Sequence, residues 1–219
     1  MKNKFKQIFG TRNVLILLTL FVIATIASYG YLNNKKANAP VDVTVSSADH
    51  YTGPADSKNV LIEYGDFQCP ACAAYHPVVK KIAAENAGTL KFVFKNFPLI
   101  SIHRNAMIGA VAAEAAAKQN KYWEMHDALY ERQKVWSEGL DAKEQILIIA
   151  ASIGLDTAKL SRDMGDGAVI AKVNADLKEA TELGLASTPS FILNGKRVDT
   201  SSITSFEAFD ALIKKSLVQ

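Results

Sequence analysis

The longest apolar run in the chain is Val14 to Leu32, set in a stretch without charge from residue 13 to 34. At the helical rise its 19 residues span roughly 28 Å, close to the ~30 Å hydrocarbon core of a bilayer. The pattern predicts a transmembrane anchor over residues 14–32. Lys2, Lys4, Lys6 and Arg12 precede it, which assigns residues 1–13 to the cytoplasm as a basic N-terminus. The residues after the helix then lie on the far side, where Tyr29 and Tyr31 suit the interface. A cleaved secretory signal is the rival reading, because Ala37-Asn38-Ala39 supplies a small-residue cleavage pattern. The apolar run is longer than a signal core, however, and Lys35, Lys36 and Pro40 crowd the cut. Either reading exports the remainder of the chain.

Residues 33–48 are polar, contain Pro and Ser and lack periodicity, so they read as a tether ahead of a domain spanning 49–219, with Asp49 to Pro54 as its turn-rich entry. Asn59 to Tyr64 is a short β-rich run that Gly65 breaks. Pro70 to Asn86 reads as a helix with proline at its first turn, where the missing N–H costs nothing; Pro77 inside it predicts a bend with His76 on its surface. Leu90 to Phe97 is a second strand. A helical insert of about 101–183 comes next, with helices expected over 105–118, 122–133, 141–152 (capped by Asp141), 156–164 and 168–183, the last stopped by Gly184. Strand character returns at Ser190 to Leu193, and Asn194-Gly195 ahead of Lys196 to Val198 is a strong hairpin signal. An amphipathic helix over 206–217 closes an α/β chain of order βαβ, helical insert, ββα.

Charge changes the picture only at one end. The formal net charge is +3, but six of the 25 basic residues lie before residue 40 with no acid among them, so the rest of the chain carries −3. That domain has no strongly cationic patch of the kind a nucleic-acid binder needs.

The chain holds two cysteines, Cys69 and Cys72, separated by Pro-Ala between the first strand and the helix. At a helix N-terminus, unpaired N–H groups and the dipole favour the thiolate, so Cys69 is expected as nucleophile; Cys72, a turn further in, is expected to stay protonated and resolve a mixed disulfide. Cys69, Cys72 and His76 lack a fourth ligand at metal spacing, so no metal site and no cofactor are expected. Glu63 lies in an apolar strand just upstream: buried, it could relay a proton to Cys72; at a strand end, it could equally face water. Thr188-Pro189, ahead of the returning strand, is a candidate cis peptide, and Asp66 reads as a turn residue.

Four segments in order, Glu63 to Cys72, Phe92 to Leu99, Tyr122 to Asp127 and Ser187 to Gly195, make the chain resemble the thioredoxin superfamily, specifically its DsbA-like branch of thiol:disulfide oxidoreductases. The resemblance covers residues 49–215 or so. It implies a thioredoxin-like fold with a helical insert, a cis Pro189 lying against the Cys69–Cys72 disulfide, a Thr188 backbone that pairs with an extended substrate, and Glu63 as the buried acid behind the dithiol. Tyr122 to Asp127 is read as packing within the helical block. Ser187 stands where relatives often carry Gly. Ala71 brings no cation to the thiolate, unlike the His of the family's strongest oxidants, so the expected poise lies between strong oxidase and reductase. The activity expected is donation of a disulfide to reduced exported proteins, with a membrane quinone-linked thiol oxidase as redox partner. The alternatives are a reductase or isomerase, or a non-catalytic client-binding module.

Overall fold

The computed structural model describes residues 11–37, 40–200, 203 and 205–217. The chain divides into two units, Met1–Pro40 and Val41–Gln219. In the first, helix α1 (Thr11–Ala37) contains a span, Asn13–Tyr31, that is long and apolar enough to cross a membrane. The basic residues expected to flank it on the cytoplasmic side fall outside the described residues, apart from Arg12 in the helix itself.

The second unit is built on a five-stranded sheet of order β1-β3-β2-β4-β5. The strands are β1 (His50–Thr52), β2 (Asn59–Gly65), β3 (Leu90–Asn96), β4 (Ser190–Leu193) and β5 (Lys196–Arg197). Among these strands β2 and β3 run parallel, because helix α2 (Pro70–Glu85) crosses between them; the other pairs are antiparallel. Asn194 and Gly195 both have positive φ, +49° and +73°, the conformation that a two-residue hairpin turn demands. The insert comprises α3 (Ala106–Ala117), α4 (Tyr122–Glu131), α5 (Gln133–Trp136), α6 (Ala142–Ser152), α7 (Thr157–Asp163) and α8 (Gly167–Glu182), and α9 (Phe206–Ser216) ends the fold.

Alternation along β2 sorts its side chains between two cores. Leu61 packs in the larger core, with Phe92, Phe94, α2 and much of the insert. Ile62 and Tyr64 face the smaller one, with Val93, Ile192 and Ala180 of α8. Glu63 shares the face of Leu61, which turns its carboxyl toward α2. On α2 the inward stripe is Cys72, His76, Val79 and Ile82, at helical spacing. The second thiol and the acid thus meet inside the same core.

Four expectations change. The entry segment contains the edge strand β1, paired with β3 across 40 and more residues. Val41, Val43 and Val45, expected in the tether, pack on the smaller core, and the Val41 N–H donates to the Gly195 carbonyl at 2.7 Å. Asp141 precedes α6 without capping it; its carboxylate instead accepts from the Gln145 side chain. Helix α2 continues through Pro77, and His76 is buried, because it lies four residues past Cys72 on the inward stripe.

Gly65 ends β2 where a side chain has no room: a Cβ there would meet the Phe94 ring and, at 2.9 Å, the Tyr130 hydroxyl. Gly65→Ala is expected to cost roughly 1–3 kcal/mol of unfolding free energy through overpacking, read from urea denaturation.

Candidate active site

The polypeptide leaves β2 through a turn held by the carboxylate of Asp66, which is 1% exposed. Its Oδ1 accepts the Gln68 backbone N–H at 2.8 Å, and its Oδ2 accepts the Leu99 N–H at 2.9 Å and lies 2.7 Å from His103 Nδ1. The residue read as a simple turn former is therefore a buried anchor between the dithiol segment and the loop after β3. Gln68 reaches outward: its amide donates to the Ser137 carbonyl and its oxygen accepts the Asn105 N–H. From the insert, Gln133 donates to the carbonyls of both Phe67 and Cys69, at 2.8 and 2.9 Å. Gln68, His103 and Gln133 carry no sequence signal, since each acts through a partner at least 37 residues away.

Cys69 is the N-cap residue of α2 and Cys72 lies in its first turn; both are free thiols. Cys69 has its pKa brought down to about 5, first by a hydrogen bond from the Cys72 thiol, against the opposing effect of burial. Thr188 adds to this, and no backbone N–H closes a full cap bond on the sulfur, yet those of Ala71 and Cys72 still favour the anion. Cys72 is wholly buried and its pKa is pushed up, by burial first and then by its bond to Cys69. Glu63 is 2% exposed, its Oε1 has no hydrogen-bond partner, and burial together with the nearby Cys69 charge raises its pKa to about 8. Of the two positions open from sequence for Glu63, the buried one is found.

Opposite the dithiol, the Thr188–Pro189 peptide is cis. The Cys69 thiol donates to the Thr188 carbonyl at 3.4 Å, and the Thr188 side chain is buried beside it. The fold therefore brings Cys69, Cys72, Glu63 and Thr188 together from β2, α2 and the approach to β4. This site can exchange a dithiol for a disulfide: a poised thiolate, a resolving thiol and a protonated acid behind it.

Without the helical block, the order β, α, β, then β, β, α around a helix-terminal dithiol is the architecture of thioredoxin-like domains. The chain belongs to the thioredoxin family: residues 45–215 match the family model described as Thioredoxin. With its helical insert it shares the DsbA-type fold. Alpha-DsbA1 of Wolbachia pipientis superposes with a TM-score of 0.67 at 21% identity, over 80% of this chain and 93% of that one. A thioredoxin-like oxidoreductase from Silicibacter pomeroyi is 26% identical, with a TM-score of 0.63 over 77% and 94% of the two chains. A curated relative named Na(+)/H(+) antiporter NhaA 1, from Salinispora arenicola, is 32% identical over 158 residues, which are 72% of this chain but 23% of the antiporter.

Thiolate absorbance of the dithiol form is expected to rise with a midpoint near 5 for Cys69, with no second step until well above the ordinary thiol range. The two shifted acids act oppositely on stability. The depressed Cys69 stabilises the dithiol form above the ordinary thiol pKa, and that contribution is lost as pH falls through about 5. The raised Glu63 favours the fold while protonated, and its contribution is lost as pH rises from 4.5 through about 8. Glu63→Gln is therefore expected to raise Tm relative to the parent increasingly from pH 5 to pH 9, and to match it near pH 4.

Proposed function

We propose that the chain is an extracytoplasmic, membrane-anchored thiol:disulfide oxidoreductase that donates its Cys69–Cys72 disulfide to reduced exported proteins. The observation that carries the direction is the low pKa of Cys69 beside a raised Cys72: a stabilised thiolate favours the dithiol form and makes the disulfide the stronger oxidant. A substrate thiolate attacks Cys69, forming a Cys69–substrate bond as the Cys69–Cys72 bond breaks. Cys72 leaves as the thiolate and takes a proton, for which Glu63 is the adjacent donor. A second substrate thiolate then attacks the substrate sulfur and releases Cys69, so the substrate leaves oxidised and the dithiol stays behind. Thr188 holds the extended substrate through its backbone, and Pro189 presents it. A membrane quinone-linked thiol oxidase restores the disulfide. The basic residues before Asn13 support a cytoplasmic N-terminus, with α1 as anchor.

Cys72→Ser is expected to accumulate a mixed disulfide with a client that carries a disulfide, whose bond the Cys69 thiolate attacks with release of a client thiolate, while Cys69→Ser forms none and neither variant oxidises a reduced client. In glutathione buffers the parent is expected to equilibrate between about −120 and −230 mV; a value below about −270 mV would sink the oxidase direction.

A further inference from the structure

Behind α2 lies a cavity of about 220 Å³, walled by apolar side chains such as Phe92 and Trp123, with Glu63, His76, Lys80, His126 and Asp127 among its polar lining. Dithiol exchange leaves the two histidines and the aspartate without a task. We propose that His76, His126 and Asp127 bind a zinc-class transition-metal dication.

The three side chains come from two helices, His76 from α2 and the His126-Asp127 pair from α4, which is why no ligand spacing marks them in the sequence. One ring nitrogen of each histidine and a carboxylate oxygen lie within 4.8 Å of one another. Asp127 Oδ1 is 3.6 Å from His76 Nε2 and 3.1 Å from His126 Nδ1. Ligands in a tetrahedral zinc site sit ~3.3 Å apart, given metal–ligand bonds near 2 Å, so small side-chain rotations suffice.

The histidines also show unmet demand. They are 6% and 3% exposed, and the Nε2 atom of each is buried without a hydrogen-bond partner. A buried orphan nitrogen is costly, and His76 Nε2, which faces Asp127 Oδ1, calls for a further partner; on His126 the nitrogen nearest that oxygen is Nδ1. Among the described residues Lys80 is the cation that pairs with this carboxylate, but it holds the other oxygen, Oδ2, at 2.6 Å, and it is half exposed with Glu131 as a second partner. Oδ1 is left to the two histidines, and a metal there would take the place of its 3.1 Å contact with His126 Nδ1. Two imidazoles and one carboxylate with an open fourth position suit zinc and its neighbours; calcium and magnesium prefer all-oxygen shells.

The test uses the protein with its disulfide closed, so that thiolates cannot compete, and reads nothing of the exchange activity. Zinc is titrated by calorimetry and cobalt(II) by visible absorbance. The expected result is one equivalent bound, with cobalt bands of a four-coordinate nitrogen and oxygen site, and affinity weakened at least about tenfold in both His76→Gln and Asp127→Asn. Lys80→Met, which removes the competing cation, is expected to tighten binding several-fold. That gain cannot come from misfolding. Absence of stoichiometric zinc binding, affinity unchanged in His76→Gln and Asp127→Asn, or weaker binding in Lys80→Met would each overturn the assignment.

Discussion

The geometry of the dithiol depends on one buried carboxylate. Asp66 sits where β2 stops, and its two oxygens serve three partners in the dithiol segment and in the loop after β3. Carboxyl oxygens withdrawn from water need such a set of hydrogen bonds, so each partner is fixed as firmly as the acid. The turn beyond it delivers Cys69 to the end of a helix at a set angle. Gln133 then fastens the same turn from the insert side, so that the thiol sits between two independent restraints.

The unequal chemistry of the two cysteines grows from elementary periodicities. A strand alternates faces, so Glu63 points into the core that Leu61 occupies, away from Ile62 and Tyr64. A helix returns to the same face every three to four residues, so Cys72 leads the buried stripe while Cys69, outside the first turn, keeps contact with the surface approach and with Thr188. Burial raises one thiol and one carboxyl; hydrogen bonding at the helix end lowers the other thiol. No added cation is required. The Pro-Ala pair leaves the thiolate to the backbone and to its partner cysteine.

Much of this is readable from residues alone, and the reasons for the gaps are physical. Strands β2 and β3, helix α2, the Asn194-Gly195 hairpin and the run of insert helices announce themselves through local periodicity and turn chemistry. Strand β1 does not, since three residues, His50-Tyr51-Thr52, become a strand only because β3 lies beside them. Gln68, His103 and Gln133 escape for the same reason: their partners arrive from distant segments. Glu63 is ambiguous in sequence because an acid in an apolar strand can end it or be enclosed by it, and α2 and the packing above the strand decide which.

Both outer strands of the sheet are short. On one side β5 is two residues long, Lys196 and Arg197, both charged; on the other β1 is three. A longer, flatter and more apolar rim would offer a row of open backbone groups to any unfolded chain nearby, and such rims template aggregates. Here the rim is short on both sides and charged at β5, which leaves little to which a further strand could add. In the role proposed for it, the domain can meet many unfolded polypeptides in turn without becoming the seed on which they accumulate.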